Sequence, residues 1–321
     1  MKRQGYLYEQ ICSIDNLILA DKIARRGKKK QKSIKKFDLN REDNIINLHH
    51  LLINKEYKTS PYKIFIIFEK KERVIFQLPY RDRVVHWAIM NVLEDTFVKS
   101  FTNDTYSCIK KRGIHKCLSN ITHALKDREN TKYCLKIDIR KYYPSIKNNI
   151  LKQLLRKKFK DRDLLNLLDE IIDSNLEGCP IGNLLSQWFG NFYLTYFDHY
   201  IKEVLKIKNI YRYCDDIVIL GNNKDNLRDA LNKIREYLKD NLQLELSNYQ
   251  IFPVASRGID FLGYVSFHDC IYLRKSIKLD YIKMIKNNNN IKSKASYKGW
   301  LDHANCINLY NKYNNYVYNK N

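Results

Sequence analysis

The chain has no run of about 18 consecutive apolar residues, so it offers no segment that would cross a membrane as a helix. No secretory leader pattern precedes its first strongly basic region, which argues against export. Its 8 cysteines include no Cys-x-x-Cys pair, and His115-Lys116-Cys117 and His303-x-x-Cys306 each lack the other half of a zinc site. Scattered reduced thiols in a cytosol are the expectation. No long internal repeat is visible, which excludes a stacked-repeat architecture. Negative charge is in short supply as well: 35 acidic residues stand against 58 basic ones, for a net charge of +23. That excess is the electrostatic footprint of a polyanion binder. At 321 residues the chain is long enough for a large core and two or three subdomains.

The acidic residues that are present are placed unusually. Tyr213-Cys214-Asp215-Asp216 lies between Tyr211-Arg212 and the apolar run Ile217-Val218-Ile219-Leu220. Adjacent carboxylates raise each other's pKa unless a cation neutralises them. Mg²⁺ prefers carboxylate oxygens and substrate phosphates, so the tetrad suggests a nucleotidyl-transfer site. A solvated turn between strands is the plain alternative. Upstream, Tyr133-Cys134-Leu135-Lys136-Ile137-Asp138 reads as a short strand ending in an acid. Asp138 is a third candidate metal ligand, or else the cap of the helix that follows. Between these acids, Gly178-Cys179-Pro180-Ile181-Gly182-Asn183 forms a Gly/Pro turn leading into a helix that carries Ser186, Gln187, Trp188, Phe189 and Phe192.

The order Asp138-x-x-x-x-Tyr143, Pro180-x-Gly182 with Ser186-Gln187, Tyr213-x-Asp215-Asp216 and Phe261-Leu262-Gly263-Tyr264 resembles motifs A, B, C and E of reverse transcriptases. The likeness spans roughly Leu48 to the C-terminus. It implies an α+β right-hand polymerase with fingers, an antiparallel-sheet palm and a short helical thumb, without nuclease or RNase H domains. The expected division is 1–47 as a basic N-terminal arm, 48–120 as fingers, 121–272 as palm interleaved with them, and 273–321 as thumb. By the same resemblance Asp138, Asp215 and Asp216 are catalytic, with Asp138, Asp215 and the Ile139 carbonyl as ligands for two Mg²⁺ ions, or Mn²⁺ in their place. Tyr143 stands where the family has a steric gate against the ribose 2′-OH, which favours deoxynucleotides. Arg73, Lys110, Lys111, Arg112, Ile181 and Gly182 fall at nucleotide-contacting positions, and Phe261, Leu262, Gly263 and Tyr264 at the primer grip.

Two departures bear on function. Many family members carry Gln in motif B where this chain has Ile181, and an apolar side chain there predicts reduced fidelity. Ile at this place resembles the enzymes of diversity-generating retroelements, which miscopy template adenines alongside a small helical accessory protein. Bacterial antiphage reverse transcriptases with a non-coding RNA partner share much of the pattern and are the alternative. After Leu242-Gln243-Leu244-Glu245-Leu246 the family's motif D lysine is missing; Ser247-Asn248-Tyr249-Gln250 follow. The expected partners are a template RNA, deoxynucleotides and the cDNA product, with no membrane, in a bacterial or phage-encoded cytoplasmic setting. A non-catalytic RNA-binding scaffold is the rival from another class.

Local patterns fill in the rest. The basic run Ala24-Arg25-Arg26-Gly27-Lys28-Lys29-Lys30-Gln31-Lys32 suits RNA phosphates. Leu48–Lys55 reads as a helix, and two apolar stretches around Phe65 and Ile75 read as a strand pair closed by Pro79. Asp82 is the expected cap of the next helix. One crossover helix is expected over 147–175, and a strand with a bulge at Gly263 is the plain alternative to, or companion of, the primer-grip reading. In the thumb, a polar link at Asn287–Asn290 should precede a helical segment from Tyr297 to Tyr316.

Overall fold

The computed structural model describes residues 3–68, 72–287 and 291–318. In chain order the elements are α1 (Tyr8–Cys12), α2 (Ile14–Ala24), α3 (Lys32–Asp38), α4 (Arg41–Ile53), β1 (Lys63–Phe68), β2 (Glu72–Gln77), α5 (Tyr80–Ser100) and α6 (Ile114–Leu125). Next come β3 (Tyr133–Ile139), α7 (Tyr142–Ser145), α8 (Asn148–Lys158), α9 (Arg162–Asp173), α10 (Leu184–Tyr193) and α11 (Thr195–His199). The remainder is β4 (Ile210–Tyr213), β5 (Asp216–Gly221), α12 (Lys224–Leu242), β6 (Leu246–Pro253), α13 (Val254–Arg257), β7 (Ile259–Phe261), β8 (Tyr264–Ser266), β9 (Ile271–Leu273), α14 (Lys275–Asn287), α15 (Ile291–Leu301) and α16 (Ile307–Tyr318). The chain divides into two compact units: Met1–Asn103, Ile139–Val204 and Arg235–Ser247 form the first, and Asp104–Asp138, Leu205–Ile234 and Asn248–Asn321 the second.

The first unit is built on α5, whose Val84, Val85, Ala88, Ile89 and Leu93 are fully buried. Near its C-terminal end Phe97 meets Phe159, Trp188 and Phe192 at ring-centroid distances of 5.7, 6.0 and 5.2 Å. Burying each such side chain contributes about 1.5–3 kcal/mol. Asp21 on α2 is also fully buried. It accepts from Arg25 Nη2 at 2.6 Å, Arg41 Nε at 2.8 Å and Tyr80 Oη at 2.7 Å, while Arg25 Nη1 reaches Asp38 at 2.8 Å. A buried carboxylate is tolerable only with such partners. The network ties α2, α3, α4 and α5 together around the exposed basic run.

Three local expectations give way here to tertiary structure. The crossover helix breaks into α8 and α9, because Phe159 leaves helical geometry (φ −108°) to enter the core and Asp161 caps a new helix by accepting from Leu164 N. Asp82 caps nothing: α5 begins after Pro79, and the buried Asp82 accepts from Tyr57 Oη at 2.8 Å and Ser60 N at 3.1 Å. The helix expected at Leu48–Lys55 runs from Arg41 to Ile53.

The second unit holds the sheet, ordered β4-β5-β3-β6 and antiparallel from β4 to β3. Cys134, Tyr211, Val218 and Leu220 pack with Cys117, Ile121 and Leu125 of α6. A second sheet, β7-β8-β9, leads to a helical layer in which Tyr264, Leu273, Tyr281, Ile285 and Leu301 form their own core. The helical thumb segment expected over Tyr297–Tyr316 falls in two helices, α15 and α16, parted where Asn305 exchanges hydrogen bonds with Ile271 of β9 at 2.8 and 2.7 Å. Asn288, Asn289 and Asn290 of the polar link lie outside the described residues.

Candidate active site

The unbroken apolar run Ile217–Leu220, buried throughout, makes β5 a central strand, and its partner β4 folds back on it with Tyr213 opposite Asp216. Cys214 and Asp215 are therefore the two residues of a tight hairpin turn. Cys214 takes the left-handed conformation, φ +56°, at a turn position that usually belongs to glycine. The turn is braced from outside. Cys214 N–H donates to Ser107 Oγ at 3.1 Å, and the Arg212 guanidinium donates from Nη1 to the Cys214 carbonyl at 2.9 Å. The segment around Thr105 runs parallel to β4, with Arg212 N bonded to Asp104 O and Tyr106 N to Arg212 O.

Across β5 lies β3, and its register sets Asp138 directly opposite Asp216. Facing residues of an antiparallel pair share one side of the sheet with Cβ atoms about 5 Å apart. Asp138, Asp216 and Tyr213 thus form one row at the end of the sheet, with Asp215 in the adjoining turn. Burial, reinforced by Asp216 and Asp138, pushes Asp215 up to about 6. Burial raises Asp216 too, with Asp138 adding to the effect and Lys136 opposing it. Lys136 donates to Asp260 O at 2.7 Å, and Asp260 is paired with Arg274 at 2.6 Å. Sequence reading missed these surrounding charges and the buried Arg212. Lys136 alone had a signal, lying on the same strand face as Asp138.

Desolvated carboxylates that repel one another are a donor set suited to a hard divalent cation. Among the described residues no three His, Cys, Asp or Glu side chains converge into a ready-made cage. Mg²⁺ sites completed by substrate phosphates and water need only one or two protein carboxylates, so the residues present fit such an ion.

The remaining sequence-selected residues lie in both units. In the first unit, Tyr142 is buried and donates to Gly190 O, whereas Tyr143 is half-buried beside Gly190. The Gly178–Asn183 loop is fastened at both ends: Cys179 N donates to Tyr143 O at 2.9 Å, and Phe76 N of β2 donates to Ile181 O at 2.8 Å. Gly182 has φ +111°, and a Cβ there would sit 2.7 Å from Phe76 O. Asn183 then caps α10 by accepting from Leu185 N. Arg73 is exposed on β2, opposite Ile67.

In the second unit Lys110 and Lys111 are exposed, while Arg112 Nη1 donates to Thr105 O at 2.9 Å and so braces its own loop. Phe261-Leu262-Gly263-Tyr264 is a hairpin turn between β7 and β8, with Leu262 and Gly263 both at positive φ, not a strand carrying a bulge. Its side chains point largely inward: Tyr264 Oη donates to Trp300 O at 3.1 Å, and a Cβ on Gly263 would meet Trp300 at 2.6 Å.

A family model described as reverse transcriptase (RNA-dependent DNA polymerase) matches residues 54–266. The chain is 21% identical over 255 residues to the putative COX1/OXI3 intron 2 protein of Saccharomyces cerevisiae, covering 57% of this chain and 29% of that protein. It is 26% identical over 239 residues to the Retron Ec73 reverse transcriptase of Escherichia coli, covering 68% and 73%. A third relative, protein YkfC of E. coli, is 24% identical over 135 residues, covering 38% and 35%. The chain therefore spans about a third of the length of two of these relatives and most of the retron enzyme. Among solved structures it resembles telomerase from Candida albicans (TM-score 0.51, 12% identity, 74% of this chain and 52% of that one) and apo telomerase from Candida tropicalis (0.52, 14%, 68% and 49%). At such identities the likeness shows the fold alone, which is the α+β fingers-and-palm fold of right-hand polymerases.

Proposed function

The chain belongs to the reverse transcriptase (RNA-dependent DNA polymerase) family, and from that premise we propose that it is itself an RNA-directed DNA polymerase. The observation that carries this reading is the row of carboxylates at the sheet end, Asp138 facing Asp216 with Asp215 in the turn beside them. Asp138 and Asp215, with the Ile139 carbonyl, would hold two Mg²⁺ ions, and Asp216 adds negative charge to the set. Mg²⁺ held there would acidify the primer 3′-hydroxyl and stabilise charge on the leaving pyrophosphate; Mn²⁺ would serve with lower fidelity. Arg73, Lys110 and Arg112 are assigned to the triphosphate, with Arg112 the weakest of the three because it already braces its loop. Tyr143 selects deoxynucleotides by crowding the 2′-position. The backbone at Ile181–Gly182 lies under the template–nucleotide pair, and the Phe261–Tyr264 turn supports the primer strand.

A dedicated template RNA is the partner that the +23 net charge supports. Ile181 favours copying with errors at template adenines, as in a diversity-generating retroelement served by a small accessory protein. The alternative is a bacterial defence element with its own non-coding RNA; the similarity to a retron reverse transcriptase of Escherichia coli fits a bacterial setting. A cytoplasmic site of action fits either role. Sequencing RNA and cDNA that copurify with the protein, beside an Asp215→Asn control, decides among them. cDNA of one RNA mutated chiefly at adenines establishes diversification, and faithful or repetitive cDNA establishes the alternative. RNA without cDNA from either protein would leave a non-catalytic scaffold.

A further inference from the structure

The assignments above leave a buried cation without a role. Arg212 is fully buried, the largest side chain to be so among the described residues. Taking a guanidinium out of water costs several kcal/mol unless its N–H groups are satisfied, so a buried arginine is held by specific partners. Nη1 donates to the Cys214 carbonyl at 2.9 Å, and Nη2 reaches Thr105 Oγ1 at 3.4 Å. The backbone of Arg212 is itself fixed between Asp104 O and Tyr106 N, at 2.9 and 3.0 Å. The arginine is thus anchored to two strands of structure before it touches the turn.

What it touches matters for the carboxylates. The Cys214 carbonyl belongs to the peptide group that joins Cys214 to Asp215, so holding that oxygen fixes the plane from which the Asp215 side chain departs. Cys214 is left-handed at φ +56° without being glycine, a conformation that costs about 1–2 kcal/mol and persists only where neighbours enforce it. Ser107 Oγ enforces it on the N–H side, and Arg212 on the carbonyl side.

We propose that Arg212 is a positioning residue: its guanidinium clamps the Cys214 carbonyl and so aims the Asp215 carboxylate at the cation site before any cation arrives. The inference rests on the polymerase reading for its consequence in turnover, but not for its consequence in ion binding. Second-layer partners of metal ligands typically matter by about 10–100-fold in affinity or activity. Mn²⁺ titrated into folded, nucleic-acid-free protein and followed by EPR should accordingly bind Arg212→Met about 10–100-fold more weakly than the parent. Arg212→Lys keeps one N–H for the same carbonyl and should recover most of that loss. On a primed RNA template, kcat should follow the Mn²⁺ affinity while KM for the deoxynucleotide stays near the parent value.

Ser107→Ala releases the turn from the other side without disturbing a buried charge, so it tests the clamp even if Arg212→Met does not fold. It should weaken Mn²⁺ binding in the same direction. Parental or tighter Mn²⁺ binding by Arg212→Met would mean the guanidinium acts only as a repelling charge or a core filler, and would overturn the proposal. So would Arg212→Lys binding as weakly as Arg212→Met, or Ser107→Ala binding like the parent. A parent chain that binds Mn²⁺ but incorporates no nucleotide would sink the polymerase reading and leave the clamp standing.

Discussion

Asp138 and Asp216 face each other directly across the ladder that joins β3 to β5. Like charges so placed destabilise a sheet, yet here a third carboxylate, Asp215, adjoins them. Removing one should therefore separate stability from activity. Asp138→Asn and Asp215→Asn should each lower nucleotide incorporation by roughly three orders of magnitude, the equivalent of several kcal/mol of lost charge stabilisation. Their melting temperatures without metal should equal or exceed the parent's. A variant that loses activity together with stability would count against a functional reason for the charge cluster.

The same carboxylates should make stability depend on pH. Burial, with Asp216 and Asp138 behind it, pushes Asp215 up to about 6, whereas an unfolded aspartate titrates near 3.9. Between those values the folded state keeps a proton that the unfolded state has released. Stability from this group therefore falls as pH rises from about 4 to about 6 and stays lost above that, by at most about 3 kcal/mol. His86 works in the opposite sense: burial pushes it down to about 4, so its share of stability is lost as pH falls below the unfolded histidine value. The parent must accordingly be compared with Asp215→Asn. Asparagine should gain on the parent as metal-free solutions go from pH 4 to pH 7, and added Mg²⁺ should restore the parent at the upper end. Identical pH profiles for the two proteins would show that Asp215 ionises normally.

Tyr143 is only half-buried, whereas its neighbour Tyr142 is in the core and bonded to Gly190 O. Of the two, Tyr143 has the exposure a sugar-contacting residue needs. Tyr143→Ala should raise ribonucleotide use relative to deoxynucleotide use by about 10–100-fold, the usual worth of a small steric distinction. An unchanged ratio in competition assays would return Tyr143 to a packing role.

Gly182 is held where no side chain fits, at φ +111° with Phe76 O 2.7 Å from the place of a Cβ. The hydrogen bond from Phe76 N to Ile181 O secures the loop at this point. Gly182→Ala should cost about 1–3 kcal/mol through strain and displacement of the loop from β2. Denaturant unfolding measures the loss; a change below about 0.5 kcal/mol would show that the loop yields freely.

What could be read in advance divides by range. Asp138, Asp215 and Asp216 stood out because their signal is local: an acid ending a short apolar strand, and a pair of acids interrupting a β pattern. The strand pair β1–β2 and the long helix α5 were legible for the same reason, since periodicity lies within each segment. The break at Phe159, the break at Asn305 and the burial of Asp82 were not legible, because each is decided by a partner distant in sequence: Phe97, Ile271 and Tyr57. Arg212 was hidden differently. Its residue type suggests solvent, and only the strand register and the segment at Thr105 put it in the core.

The basic run Arg25–Lys32 also changes meaning once its supports are known. A cationic segment that is merely solvated has no reason to be held in place, yet Arg25 is locked to the buried Asp21 and to Asp38, closing the run into a loop between α2 and α3. Arg83 at the start of α5 crowds Lys28 and holds its pKa below the usual lysine value. Fixed like charges at close quarters are stabilised by a polyanion and by little else. Replacing Lys28, Lys29 and Lys30 by alanine should therefore weaken binding to a structured RNA. For every phosphate that the variant no longer neutralises, the plot of log affinity against log salt should flatten by about 0.7–0.9. Melting temperature should stay at or above the parent value, since the change relieves repulsion. Fluorescence anisotropy with labelled RNA across a KCl series makes the measurement. A parental salt slope in the triple variant would place the RNA elsewhere on the molecule.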